Sequence, residues 1–151
     1  MQNKFAFQDY YKDGDDICYG CGKNNEYGLK IKSYWDDDQT ICKFVPKSHH
    51  TGPTGYVYGG LIASLVDCHG TATAAAATYK AENRAMGSLP DVRFVTASLH
   101  VDFKKPTPVD KEIELRGQIK EMKGKKVVII INVISDGNIT ADGEVVAIRK
   151  G

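Results

Sequence analysis

YGGLIASLVDCHGTATAAAATY, running from Tyr58 to Tyr79, decides the fold. Two glycines open it and alanines fill its second half, with Ala74, Ala75, Ala76 and Ala77 consecutive. Alanine is the strongest helix former and carries almost no side chain, so the run predicts one long helix gripped on most of its sides. Gly60, Ala63, Ser64, Asp67 and Thr71 recur at the three- and four-residue offsets that share a helix face. Asp67 is the misfit among them, because carboxylates are seldom buried without partners. Either a hydroxyl such as Thr71 satisfies it or it lies on a solvated strip, or it works in a cleft as a base. An acid inside so apolar a helix favours the cleft.

Outward from the helix the chain reads as strands. Leu29 to Trp35 and Thr40 to Val45 alternate loosely, with the polar DDDQ between them as a turn, and Pro46 ends the second. The loop KSHHTGPTGYV then leads straight into the helix. Beyond it, in Val92 to Phe103, Val95, Ala97, Leu99, Val101 and Phe103 alternate with Thr96, Ser98, His100 and Asp102, which predicts one apolar and one polar face. Lys111 to Met122, the β-branched run Lys126 to Ile134, and Ile139 to Arg149 follow, joined by the turns KGK and DGN. Two strands, one helix and four strands predict an α+β domain, an antiparallel sheet curled around a single helix. Such a sheet leaves edges needing cover, so self-association is expected.

Length and charge narrow the function classes. The 151 residues fit one domain over 18–151 preceded by an N-terminal arm over 1–17 that packs its aromatics. A net charge of +1 gives no footprint for nucleic acid. No apolar run reaches a membrane span and MQNKFAFQDYYKDGDD lacks the apolar core of a secretion signal, so a cytoplasmic protein without a membrane partner is expected.

Cys18 and Cys21 form a C-x-x-C inside CYGCG, half of a zinc or redox motif whose second half is missing. The pair is therefore read as a turn held by small residues, with no metal. Cys42 and Cys68, each in apolar sequence, are read as small core side chains.

Three stretches, CYGCGKNNEYGLKI, HTGPTGYVYGGLIASLVD and VTASLHVDFKKPTPV, resemble the landmarks of the hotdog-fold acyl-CoA thioesterases of the PaaI-like type. The resemblance spans nearly everything from Cys18 onward, and its middle stretch is the specific one. It implies a hotdog fold, hydrolysis of a small or medium-chain, even aryl, acyl-CoA, and no cofactor. Asp67 falls on the catalytic acid, acting as general base or nucleophile, and Gly59 on the glycine whose backbone N–H polarises the thioester carbonyl. Thr71 and Thr96 fall where hydroxyls orient the acid or the water, and His50 on a loop histidine. The chain departs from the pattern at Tyr58, where the family's H-G-G has histidine, at Gly52, where many members have asparagine, and at Cys68 and His69.

Physical chemistry adds a constraint. A helix N-terminus presents unpaired N–H groups and partial positive charge, and glycines such as Gly59 and Gly60 let a carbonyl approach. Asp67 lies eight residues further on, about 12 Å along the axis. One carbonyl cannot touch both, so a shared site requires a homodimer, expected to pair again as a dimer of dimers. Lys104, Lys105, Arg84 and the lysines at 123, 125 and 126 are candidates for coenzyme A phosphates, and exposed lysines at turns are also ordinary surface. Ser98 and Tyr58 complete the candidate substrate contacts. A noncatalytic acyl-CoA binder is the alternative reading. A hydratase would need His69 to work with Asp67, although those neighbours diverge around the helix.

Overall fold

The computed structural model describes residues 5–151, so the first four residues of the expected arm lie outside it. Helix α1 spans Gly59–Ala81. The strands are β1, Ser33–Asp36; β2, Gln39–Phe44; β3, Phe94–Phe103; β4, Ile113–Lys123; β5, Lys126–Ser135; and β6, Asn138–Arg149. They form one sheet in the order β1-β2-β4-β5-β6-β3, every neighbouring pair antiparallel. The expected α+β architecture is the one observed.

The grip on α1 has three sides. Leu65 and Val66 pack with Ile113, Leu115, Ile129, Ile131 and Val145 of the sheet, all fully buried. Ala72 and Ala76 take Phe7 of the arm, which meets Trp35 edge-on at 5.8 Å. Ala75 and Tyr79 take Val92, whose N–H donates to the Tyr79 hydroxyl at 3.0 Å. Only a side chain as small as alanine lets three layers approach one helix turn. Helix and sheet are in fact so close that a Cβ added to Gly70 would lie 2.6 Å from Val145, and one added to Gly143 would lie 2.4 Å from Val66. Truncating Leu65 there would leave a cavity costing about 2–5 kcal/mol.

Two expectations need correction. The first strand is shorter than its pattern, because Leu29 and Ile31 donate their N–H groups to Tyr19 and Gly20 of the cysteine loop, at 2.8 and 3.2 Å, instead of joining the sheet. Lys30 between them sits at φ 53°, outside any strand conformation.

The two faces of β3 also do not follow simple alternation. Directly opposed residues share a face. Thr96 opposes the buried Ala147, but the register shifts between Thr96 and Ser98, and Ser98 opposes Val146. Thr96 therefore joins Leu99, Val101 and Phe103 on the helix side, while Val95 and Ser98 point away from it.

Strand β3 is also the sheet's long free edge. Leu99 and Phe103 remain 40% and 55% exposed although they lie on the helix side.

Candidate active site

Asp67 is half-buried in the middle of α1 and faces a cavity of about 260 Å³. The Thr96 hydroxyl donates to its Oδ1 at 2.5 Å, a contact that exists because the β3 bulge turns Thr96 toward the helix. A charge-assisted bond of this kind fixes the carboxylate rotamer while leaving the other oxygen to the cavity. Thr71 lines the same cavity but its hydroxyl donates back to the Asp67 and Cys68 carbonyls, at 3.4 and 3.2 Å. The expectation that Thr71 orients the acid is thus corrected: the hydroxyl satisfies the helix backbone, and Thr96 holds the carboxylate.

The remaining walls come from segments distant in sequence. Tyr10 and Tyr11 of the arm, Met86, Asp91, Val92 and Arg93 close the cavity. Arg93 draws the acidic DGDD turn toward it, with Asp15 at 3.3 Å and Asp13 at 3.9 Å.

The N-terminal end of α1 makes a second cavity, about 380 Å³, where Gly59 meets Phe103, Lys104, Lys105 and Ile62. Among the described residues, no acceptor pairs with the N–H of Gly59 or Gly60, whereas Leu61 and Ile62 already donate to the Tyr58 carbonyl. Gly59 lies 3.5 Å, measured from an ideal Cβ, from the Phe103 ring edge. Lys104 and Lys105 are exposed beside it, each with a loose partner: Asp142 at 3.8 Å and Asn138 at 3.2 Å.

Tyr58, Gly60 and His50 sit outside that cavity's lining. The Tyr58 ring lies over Gly60, so close that a Cβ there would be 2.5 Å from it. His50 accepts the Lys47 N–H on Nδ1 at 2.9 Å, and its carbonyl accepts the Tyr58 N–H at 3.1 Å, which pins the loop that delivers the helix start. Burial, then the neighbouring His49 and Lys47, push the His50 imidazole below its ordinary pKa. Ser98 is on the opposite face of the sheet from Asp67.

The structure thus sorts the candidates into an acid cavity with Asp67, Thr96 and Thr71, and a helix-start cavity with Gly59, Lys104 and Lys105. Phe103 and the tyrosines of the arm have no signal in the sequence that separates them from the chain's other aromatics. Their roles follow from the bulge and from the packing of the arm.

Two residues beyond Asp67, His69 is fully buried and wholly satisfied, packing away from the acid as its angular offset requires. The Thr73 hydroxyl donates to the His69 carbonyl at 2.7 Å, so the 2.7 Å bond between Thr40 and Thr73 must use the Thr40 proton. Thr40 is left to accept from Nε2 at 3.2 Å, which makes Nδ1 the acceptor of the Ser33 hydroxyl at 2.8 Å. Gln8 of the arm completes the chain through Ser33. Burial drives the His69 pKa down to about 4, so the ring is neutral.

The cysteines follow their reading only in part. Cys42 is a core side chain, its thiol pushed up to about 12 by burial. Cys68 is buried but meets Cys18 at 3.8 Å between sulfurs, which the sequence reading did not bring together. The hydrogen bond from Cys68, then the backbone N–H groups of Cys21 and Gly20, hold Cys18 down to about 5, while the same bond pushes the Cys68 thiol up.

One long helix wrapped by a six-stranded antiparallel sheet, with an acid at mid-helix and glycines at its start, defines a hotdog-fold protein of the PaaI-like thioesterase type. Comparison with known proteins agrees. The thioesterase superfamily profile matches residues 54–141, more than half of the chain, and the chain belongs to that family.

Among solved structures, a thioesterase superfamily protein from Shewanella loihica PV-4 is 43% identical, with a TM-score of 0.71 over 95% of this chain and 99% of that one. The PaaI protein of E. coli shares the fold, at 15% identity and a TM-score of 0.62 over 80% of this chain and 84% of its own. The acyl-coenzyme A thioesterase THEM4 of Bos taurus is 26% identical over 125 residues, 83% of this chain and 42% of that protein. The chain spans less than half the length of the curated relatives it matches.

Proposed function

We propose that the protein hydrolyses acyl-CoA thioesters, with Asp67 as general base or nucleophile. The observation that carries this is Asp67 itself: a carboxylate at mid-helix, held by Thr96 at 2.5 Å and open to a cavity. A carboxylate placed there accepts a proton from water, or attacks the carbonyl, while the thiolate of coenzyme A leaves. The developing oxyanion needs a donor, and such a donor contributes about 3–4 kcal/mol of barrier lowering.

The Gly59 N–H is that donor, supplied by a second copy of the chain. In support, Gly59 and Asp67 of one chain open into separate cavities, and Phe103 beside Gly59 lies on the exposed edge of β3. Two copies joined along that edge bring one chain's helix start to the other's acid, and give two equivalent sites. Lys104 and Lys105 then stand where the coenzyme A phosphates emerge, with Tyr58, Gly60 and His50 shaping the entrance and the small to medium acyl group lying in the acid cavity.

Release of free thiol from a panel of acyl-CoAs, by wild type and Asp67→Asn, tests the chemistry. Turnover lost in the variant with binding kept supports it, and full turnover in Asp67→Asn overturns it. Mixed dimers test the division of labour. Gly59→Pro removes the N–H at a position proline tolerates. When chains carrying Gly59→Pro and Asp67→Asn are refolded together, each mixed dimer holds one intact site and one doubly impaired site. Activity returning on mixing supports a shared site, and additive inactivity overturns it.

Tyr58, whose ring lies over Gly60 where the family's H-G-G has histidine, favours a second reading, a noncatalytic binder of acyl-CoA. Tight binding of CoA esters by the wild type, with no thiol released, selects that reading.

A further inference from the structure

The sulfurs of Cys18, Cys21 and Cys68 all lie within 4.8 Å of one another, and Cys18 and Cys68 are 3.8 Å apart. A tetrahedral zinc ion with Zn–S bonds of about 2.3 Å holds its sulfurs about 3.8 Å apart. We propose that these three cysteines form a binding site for a thiophilic divalent cation of the zinc class, tying the N-terminal loop to the middle of helix α1.

Three independent features of the structure support a built site over an accidental meeting of thiols. The first is the loop. The Gly22 N–H donates to the Cys18 carbonyl at 2.8 Å, which closes the turn that carries Cys18 and Cys21. A closed turn fixes the direction of the side chains it carries, which is how a short loop is pre-organised to hold a metal.

The second is the pair of glycines in CYGCG. A Cβ at Gly20 would stand 2.4 Å from the Cys68 sulfur, and one at Gly22 would stand 2.4 Å from the Cys18 nitrogen. Gly20 is therefore the opening through which the third sulfur reaches the other two. The missing second half of the motif is supplied by the helix.

The third is access. All three cysteines line the acid cavity together with Tyr11, Thr71 and Asp67, so a fourth ligand position faces a space able to hold a solvent oxygen. Three thiolates and one open position complete a tetrahedron. The loop is otherwise held by Leu29 and Ile31 through two backbone bonds, and by Asn24 to Asp16 at 2.8 Å. Metal ligation would add a direct tie from this loop to α1, one residue past Asp67, and fix one wall of the acid cavity. This inference does not depend on thioester hydrolysis.

The test uses the full-length chain, reduced, with its free thiols counted by a colorimetric thiol reagent, titrated with Zn²⁺ against a chromophoric chelator. One ion per chain is expected. Co²⁺ in its place is expected to give the intense visible bands of a tetrahedral ion and a sulfur-to-cobalt charge-transfer band.

Cys18→Ser, Cys21→Ser and Cys68→Ser should each weaken Zn²⁺ by about 100-fold or more, past the effect of losing a group that only orients a ligand. Cys42→Ala, on β2, should bind as the wild type does. Because the wild-type stoichiometry is itself decisive, a variant that fails to fold leaves the test intact. No stoichiometric uptake by the reduced wild type overturns the site, as does a Cys68→Ser protein that folds and holds zinc unchanged. A Cys18–Cys68 disulfide in protein purified without reductant, with no metal bound after reduction, overturns it equally.

Discussion

Asp67 and His69 are separated by one residue on the same helix, and the structure gives them opposite fates. His69 is enclosed, with both ring nitrogens and its carbonyl bonded to Ser33, Thr40 and Thr73. Asp67 has one side-chain donor, Thr96, and an open cavity before its other oxygen. A polar side chain with every bond internal serves the fold, whereas one left with a free lone pair in a cavity is available for chemistry. Polarity in the sequence does not separate the two, since that depends on what the 100° turn per residue brings each side chain to face.

Exchanging these roles gives the sharpest test. Asp67→Asn keeps shape and most hydrogen bonding but removes the base. It is expected to lower kcat by roughly 100- to 1,000-fold, with unfolding by denaturant nearly unchanged. His69→Ala should do the reverse, costing about 3 kcal/mol or more of stability through a cavity and orphaned hydroxyls, with turnover per folded molecule nearly intact. If His69→Ala abolished turnover in a protein that remained folded, His69 would not be a purely structural residue.

Acid tests the enclosed half of the comparison. His69 has a pKa of about 4 in the fold against 6.5 when unfolded, so the unfolded chain binds more protons between those values. Its contribution is complete above pH 6.5 and is lost as pH falls toward 4. At 1.36 kcal/mol per unit it amounts to about 3 kcal/mol. Chemical denaturation across that range should show the decline in wild type, and a flatter profile in a folded His69→Gln protein.

Smaller effects refine the acid side of the comparison. Thr96→Val removes the hydrogen bond to the carboxylate and should reduce kcat roughly tenfold, while Thr71→Val, whose hydroxyl serves the backbone, should leave it within about twofold. Changing Lys104 and Lys105 together to alanine should raise KM for acyl-CoA several-fold and leave acyl-pantetheine, which lacks the phosphates, unaffected. Equal effects on both substrates would remove those lysines from the phosphate site.

Much of the fold was legible because its signals are local. The Ala run, the β-branched strand Lys126 to Ile134 and the turns at KGK and DGN each state their structure within a few residues, and the helix limits matched to within two. The bulge in β3 was not legible, since the shift at Ala97 depends on how β6 pairs with it and on nothing in VTASLH itself. Asp67 stood out as the misfit of the helix, and Gly59 through the resemblance of its motif. Thr96 was reached from its landmark position, but the reason it turns inward is the bulge. Nothing near Cys68 in the sequence points to its partners, because they lie about fifty residues earlier and only the folding of the cysteine loop onto the helix brings them together.

The three-sided grip on Ala72, Ala75 and Ala76 leaves the central helix with no room to evolve. Any larger side chain there must displace the sheet, the arm or the segment through Val92. Change in the Asp67 cavity is open instead to walls that other segments supply: Tyr10 and Tyr11 on the arm, and Met86 on the connection that follows the helix. If the proposed hydrolysis holds, a library confined to those three positions is expected to shift which acyl-CoAs are turned over while leaving Asp67 and Thr96 in place.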